Sequence, residues 1–510
     1  MINSKIFLFG IILSVFSSSL FAGQELNYLN SLRVKTGMPP FSSEIHLDDA
    51  AINHSDYMQS NNASGHYEQS DKVGFTGASP SDRVGYANYS SAIIGENVST
   101  GTRQTYQDSI DLLFAAIYHR YGFLNMTFSE IGIGSNDESN RHFYTYDLGN
   151  REVNKLCQDD VYDGGSYYSS VCKNANQKVA SADFVKAINI NKSKTPKLIV
   201  WPAANIKDIP PVFNYETPDP LPNDSVTGYP ISVEFNEGKF SKAPTINSFT
   251  IKETYSGKNV TRLTLMTSQN DPNSHLTKYQ AAFFPKERLS WGTSYEATVE
   301  YTYKDKRYVY SWFFSIRTLR GISDKVYIID KGSNSEITLK VISGKSYAFY
   351  LVPDNTNDKL GGMSAGGTAN IESFSYIDTN TFMMKLSGEK GKYREVKVNG
   401  KKIKLIIDTV DTARIPKKEF KVHYVDTDND GIPDTTDTDD DNDGISDINE
   451  LRHGLDPLNA SDAQADFDHD GFSNAIEISI GTNIRSKKSH PIWAPVVMGD
   501  IITFVPSKQK

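Results

Sequence analysis

Cysteine is nearly absent from this 510-residue chain, which has only Cys157 and Cys172. That excludes a scaffold held mainly by disulfides and leaves room for one bridge. A basic surplus is absent too. The net charge is −9, which argues against a nucleic-acid partner, because phosphate binding needs a basic face. Beyond the N-terminus no apolar run reaches spanning length, so the rest of the chain is expected to be soluble. The length exceeds what one core can organise and predicts three or four domains.

The N-terminus reads "MINSKIFLFGIILSVFSSSLFAGQ". A lone Lys5 precedes an apolar run from Ile6 to Phe16, and small residues follow as far as Ala22. This predicts a secretory signal peptide over 1–22, hence a secreted or cell-surface protein. In an exported chain, two cysteines in a polar loop are expected to pair. Two free thiols are the alternative. A metal site there is disfavoured because no histidine lies between them.

Residues 25–150 mix helical and strand periods. "HLDDAAINHSDYM" puts Leu47, Ala50, Ala51, His54, Tyr57 and Met58 on one helical face, and "YQDSIDLLFAAIYHR" repeats the pattern. "EIGIGS" and "HFYTYDLG" are short strand candidates. These periods predict an α/β domain with helices covering a small sheet. Residues 151–208 read as a disulfide-containing connector and the proline-rich 209–224 as a linker.

From there the period is two. "YEATVEYTY" and "YVYSWFFSI" alternate about a tight turn, which predicts a hairpin and, over 225–320, an immunoglobulin-like β-sandwich. "VKVNGKKIKLII" carries an Asn399-Gly400 turn within a second β domain over 325–420. Neither β domain shows a cluster of reactive residues, so spacing or recognition is their expected role.

The segment 426–450 holds eleven carboxylates and no lysine or arginine. The acids are ordered. Asp426, Asp428, Asp430, Gly431, Asp434 and Asp437 stand at positions 1, 3, 5, 6, 9 and 12 of a loop. Asp439, Asp441, Asp443, Gly444, Asp447 and Glu450 repeat it, as do Asp466, Asp468, Asp470, Gly471, Asn474 and Glu477. Such loops supply the oxygens that calcium takes, so calcium is the expected cofactor that cancels the charge. The first two copies leave no space for an EF-hand helix between them. Over 426–481 the tandem resembles thrombospondin type 3 repeats, and 482–510 is expected to be a C-terminal tail.

Four residues stand out in the first domain: His66 in "SGHY", Glu96 in "IGENVSTG", His119 in "IYHRYGFL" and Glu130 in "FSEIGIG". Here, with "LNSLRVKTGMPPF", "DRVGY" and His119-Arg120, the chain resembles the bacterial form of the CAP superfamily (cysteine-rich secretory, antigen 5 and pathogenesis-related proteins). The resemblance implies an α–β–α sandwich whose cleft is lined by two histidines and two acids, matching His66, Glu96, His119 and Glu130. Those groups could hold zinc or a polar ligand, or act as acid and base. They could equally be loop staples. His54, on an apolar helix face, reads as a satisfied core histidine. The chain has "AAIYHR" where a tryptophan and a Ser-Pro-Gly turn commonly precede the His-Arg pair. No serine or cysteine nucleophile with a partner is readable. A binder of an extracellular lipid, peptide or cell-surface component is therefore the first expectation, and a metal-dependent hydrolase the second.

Overall fold

The computed structural model describes the chain except residues 1–9, 103, 214–215, 224–226, 331–335, 354–358, 416–426, 429–436, 499–500 and 509–510. It divides into two compact units, Met1–Phe420 and Lys421–Lys510. The start of the expected signal peptide lies outside the described residues. Its remainder forms the first turns of α1 (Gly10–Lys35). Among the described residues no helix is long and apolar enough to cross a membrane.

The first domain is built on a four-stranded sheet in the order β1 (Ser42–Ser43), β3 (Glu130–Asn136), β4 (Arg141–Gly149), β2 (Ile94–Thr102). Strand alternation gives the sheet two different faces. Ile131, Ile133, Tyr144, Tyr146 and Leu148 join α1 and α4 (Tyr106–Ala115) in one core. The opposite face is almost bare of bulk at β3, and α2 (Ile45–Asn61) lies directly on it. Gly132 and Gly134 make that approach possible. A Cβ on Gly132 would fall 1.9 Å from the Leu47 carbonyl carbon, and one on Gly134 2.1 Å from that of Ala51. The "EIGIG" motif is thus a docking groove for helix backbone.

Two further sheets pack behind this domain. One orders the strands 263–267, 280–285, 231–235, 198–201, the other 245–253, 294–303, 306–316, 206–209. The β-sandwich expected over 225–320 therefore also takes in 198–209, from the region expected to be connector and the first residue of the expected linker. The hairpin expected around residue 304 is present, with Lys304 and Asp305 both at positive φ in a two-residue turn. Its core shares residues with the first domain: Phe114 and Phe123 pack with Trp201, Tyr229 and Phe283. A second pair of four-stranded sheets spans 326–408 around its own core, with the Asn399-Gly400 turn where expected.

Cys157 and Cys172 are bridged, with Cα atoms 5.4 Å apart. Closing this loop contributes about 3 kcal/mol in the chain-entropy account. In the C-terminal unit, short helices Asp447–His453 and Asn474–Ile480 follow the second and third acidic loops. Residues expected to be a tail include a hairpin, 491–498 paired with 501–508.

Candidate functional site

The site grows from the β2 edge of the sheet. Glu96 is placed there by strand pairing, opposite Asp147 of β4. Ser79 caps α3 (Pro80–Tyr86) in a reciprocal capping box with Asp82, which sets Arg83 toward the sheet. Arg83 donates to the His66 carbonyl at 2.9 Å and to the Glu96 carboxylate, and stands 3.7 Å from Glu68. One buried guanidinium thus holds both the His66 loop and its acid. His66 donates from Nδ1 to Glu96 Oε1 at 2.8 Å.

His119 arrives from the other side. The helix from Tyr106 breaks at Ala116, in extended conformation, and restarts as α5 (Ile117–Phe123). The Asn97 side chain donates to the His119 carbonyl at 2.8 Å. The two imidazoles come to 6.2 Å between centroids, with planes 20° apart. Their side chains are 36% and 15% exposed, so a ligand can reach them, while Glu96 is 1% exposed.

Glu130 is not brought to these histidines. It lies on β3, accepts a hydrogen bond from the Tyr89 hydroxyl at 2.7 Å and faces Arg151 at 3.5 Å. The acid at His119 is instead Glu216, from the segment expected to be linker. Its Oε1 accepts from His119 Nδ1 at 2.7 Å and from the Tyr118 and His119 amides at 2.8 and 3.1 Å. No local motif marks it. Arg120 is fully buried and staples the domain to the β-sandwich through Ser232 and the Tyr229 ring. His54 is the satisfied core histidine expected, held at 2.9 Å by both Glu68 and the Gly65 carbonyl.

The charges are finely divided. Burial alone would raise the Glu96 carboxyl, but the hydrogen bond from His66 and the charge of Arg83 hold it below the ordinary range. Asp147 beside it is pushed well above that range by burial and then by Glu96.

In the C-terminal unit the described acids converge as spaced. One oxygen each from Asp439, Asp441 and Asp443 lies within 4.8 Å of the others, and Asp466, Asp468 and Asp470 do the same. Gly444 and Gly471 take positive φ, and their amides donate back to Asp439 and Asp466. Position 9 is used differently. Asp447 accepts from the Asp440 amide at 2.9 Å, and Asn474 ties Phe467 to Asp462, so both close the loop. Glu450 is fully buried with neither carboxylate oxygen hydrogen-bonded, and Asp462 joins it and Asp443 in a third cluster. Asp462 was not legible, since it falls outside the twelve-residue frame. Glu477 closes its loop from within, 0% exposed. Asp426, Asp430 and Asp434 of the first copy lie outside the described residues. Among the described residues, every group of three or more close metal-ligand atoms lies in this unit and none at the histidines.

The profile of the cysteine-rich secretory protein family, CAP, matches residues 26–148, and that of the bacterial TSP3 repeat matches 439–460 and 466–483. Residues 26–148 are a CAP domain. The chain as a whole joins it to β-rich sheets and TSP3 repeats, which are calcium-binding. Among solved structures, an extracellular SCP-domain protein from Bacillus anthracis is 23% identical, with TM-score 0.22 over 26% of this chain and 40% of that one. An outer surface protein from Borrelia burgdorferi is 15% identical, with TM-score 0.22 over 24% of this chain and 87% of that one. The chain thus spans under half of the Bacillus protein. No curated protein matches it.

Proposed function

We propose that this is an exported binding protein whose CAP cleft holds a ligand through His66 and His119, while the TSP3 segment is folded by calcium. The observation that carries the cleft reading is the pair of imidazoles, each with Nδ1 engaged by a buried carboxylate. With the proton on Nδ1, each Nε2 is left as the lone-pair acceptor, the arrangement in which carboxylates orient metal-binding histidines. The donor chemistry suits zinc or another cationic group. When bound, zinc would supply Lewis acidity. His66 and His119 would hold it, and Glu96 and Glu216 would orient them.

Calcium fits the C-terminal loops on different grounds. They offer oxygen donors only, several of them buried without a hydrogen bond. Export by residues 1–22 belongs to the same reading, because extracellular calcium is abundant. The β domains serve as spacers. Titration of calcium-loaded protein with zinc by calorimetry tests the cleft. His66→Ala and His119→Ala should each weaken binding at least tenfold. Unchanged zinc affinity in the double variant would show that the imidazoles are loop staples.

A further inference from the structure

The CAP profile ends at residue 148, yet the acid on His119 comes from residue 216. We propose that Glu216 is a positioning residue of the cleft and that its segment, with the β-sandwich anchoring it, is part of the site. This rests on the cleft being a binding site.

Glu216 is held on both flanks. Val212–Phe213 pairs with Thr227–Gly228, and the Phe213 ring meets Phe284 edge-on at 5.7 Å. On the other flank Leu221 is buried with Met266 and Leu276, and Asn273 donates to the Asp219 carbonyl at 2.8 Å. Residues 212–213 and 216–221 form a strap against α5, fixed by sandwich residues on both flanks. Between them the Glu216 side chain is 0% exposed.

Its Oε1 receives three donors, two backbone amides and the imidazole, so the carboxylate is fixed before the ring meets it. A carboxylate accepting from Nδ1 puts the ring proton there and makes Nε2 the acceptor of neutral His119. Its other oxygen, Oε2, is buried without a hydrogen-bond partner. The site therefore needs a fold element outside the CAP domain to set the tautomer of one of its two histidines. A ligand that needs the Nε2 lone pair binds only while the strap is seated.

The test uses full-length, calcium-loaded protein and the variants Glu216→Ala and Glu216→Gln. Long-range proton–nitrogen spectra of histidine-labelled protein, with His119 assigned by its loss in His119→Gln, read the tautomer directly. Wild type should show His119 with its proton on Nδ1. In Glu216→Ala the proton should redistribute toward Nε2, and in Glu216→Gln, whose amide oxygen still accepts, it should largely stay. Zinc affinity should fall about 10–100-fold in Glu216→Ala, less in Glu216→Gln, with calcium uptake unaltered. A folded Glu216→Ala protein with wild-type tautomer and zinc affinity would overturn the proposal. Should Glu216→Ala not fold, a Glu216→Gln protein with the proton on Nε2 would overturn it. Wild type that binds no zinc would overturn the metal reading of the cleft, while the tautomer would still decide the role of Glu216.

Discussion

Asp147 stands directly across from Glu96 on adjacent strands, both side chains buried beneath α2 and α3. Two carboxyls this close cannot both ionise in a dry environment, and the flanking charges decide which one does. Arg83 and His66 favour the Glu96 anion, while burial and then the Glu96 charge push the Asp147 carboxyl well above the ordinary range. A carboxyl raised in the folded state contributes stability below its unfolded value and loses it as pH rises. Asp147→Asn keeps the shape and cannot ionise. Its melting temperature should match wild type near pH 4 and equal or exceed it increasingly toward pH 8. A variant less stable than wild type across that range would mean that Asp147 acts as an anion.

The calcium-free C-terminal unit should lose stability as pH rises. Burial, then Asp441, Asp443 and Asp462, push Glu450 up to about 9, and burial pushes Glu477 to about 7 and Asp441 to about 6. All three are acids raised in the folded state, so their contribution is present below about pH 4 and fades toward pH 9. Calorimetry in chelator should show a transition of residues 421–510 that weakens from pH 5 to 8. Saturating calcium should raise this transition most at high pH. A chelated unit that gains stability with pH would refute the assignment.

Calcium should also govern proteolysis. The carboxylates of 439–477 have little apolar surface to hold them together, their core being centred on Ile445, Leu455, Ala463 and Ile484. In chelator a nonspecific protease should cut this segment at least tenfold faster while the CAP domain stays intact. Equal cleavage with and without calcium would count against a calcium-built fold.

Gly132→Ala should destabilise the CAP domain by about 1–3 kcal/mol or more, because the added methyl meets helix backbone that cannot step aside. Gly366, whose added Cβ meets nothing within 4 Å, provides the control. Denaturant unfolding of both alanine variants checks this. Equal midpoints would mean that α2 does not rest on the sheet.

The histidines and Glu96 were legible because each sits in a short motif whose spacing reflects local geometry. Glu130 shared such a motif, but strand pairing carries it to Tyr89 rather than to the histidines. Glu216 was hidden because its role arises from docking across 97 residues, and a proline-rich stretch reads as a linker whether or not it is strapped down. The strands at 198–209 are only four residues each, too short for a period to emerge. The 491–508 hairpin is interrupted by Pro495 and Pro506, which weaken a strand pattern. The acidic loops were plain from glycine placement, yet Asp462 enters from the connection between repeats.

The central claim is that one chain carries two chemically separate sites, imidazole in the CAP cleft and carboxylate in the repeats. Equilibrium dialysis of His119→Ala and Asp441→Asn against zinc and calcium together tests it most directly. His119→Ala should lose zinc and keep wild-type calcium, and Asp441→Asn should lose part of its calcium and keep zinc. Zinc retained after loss of both His66 and His119 would contradict the account.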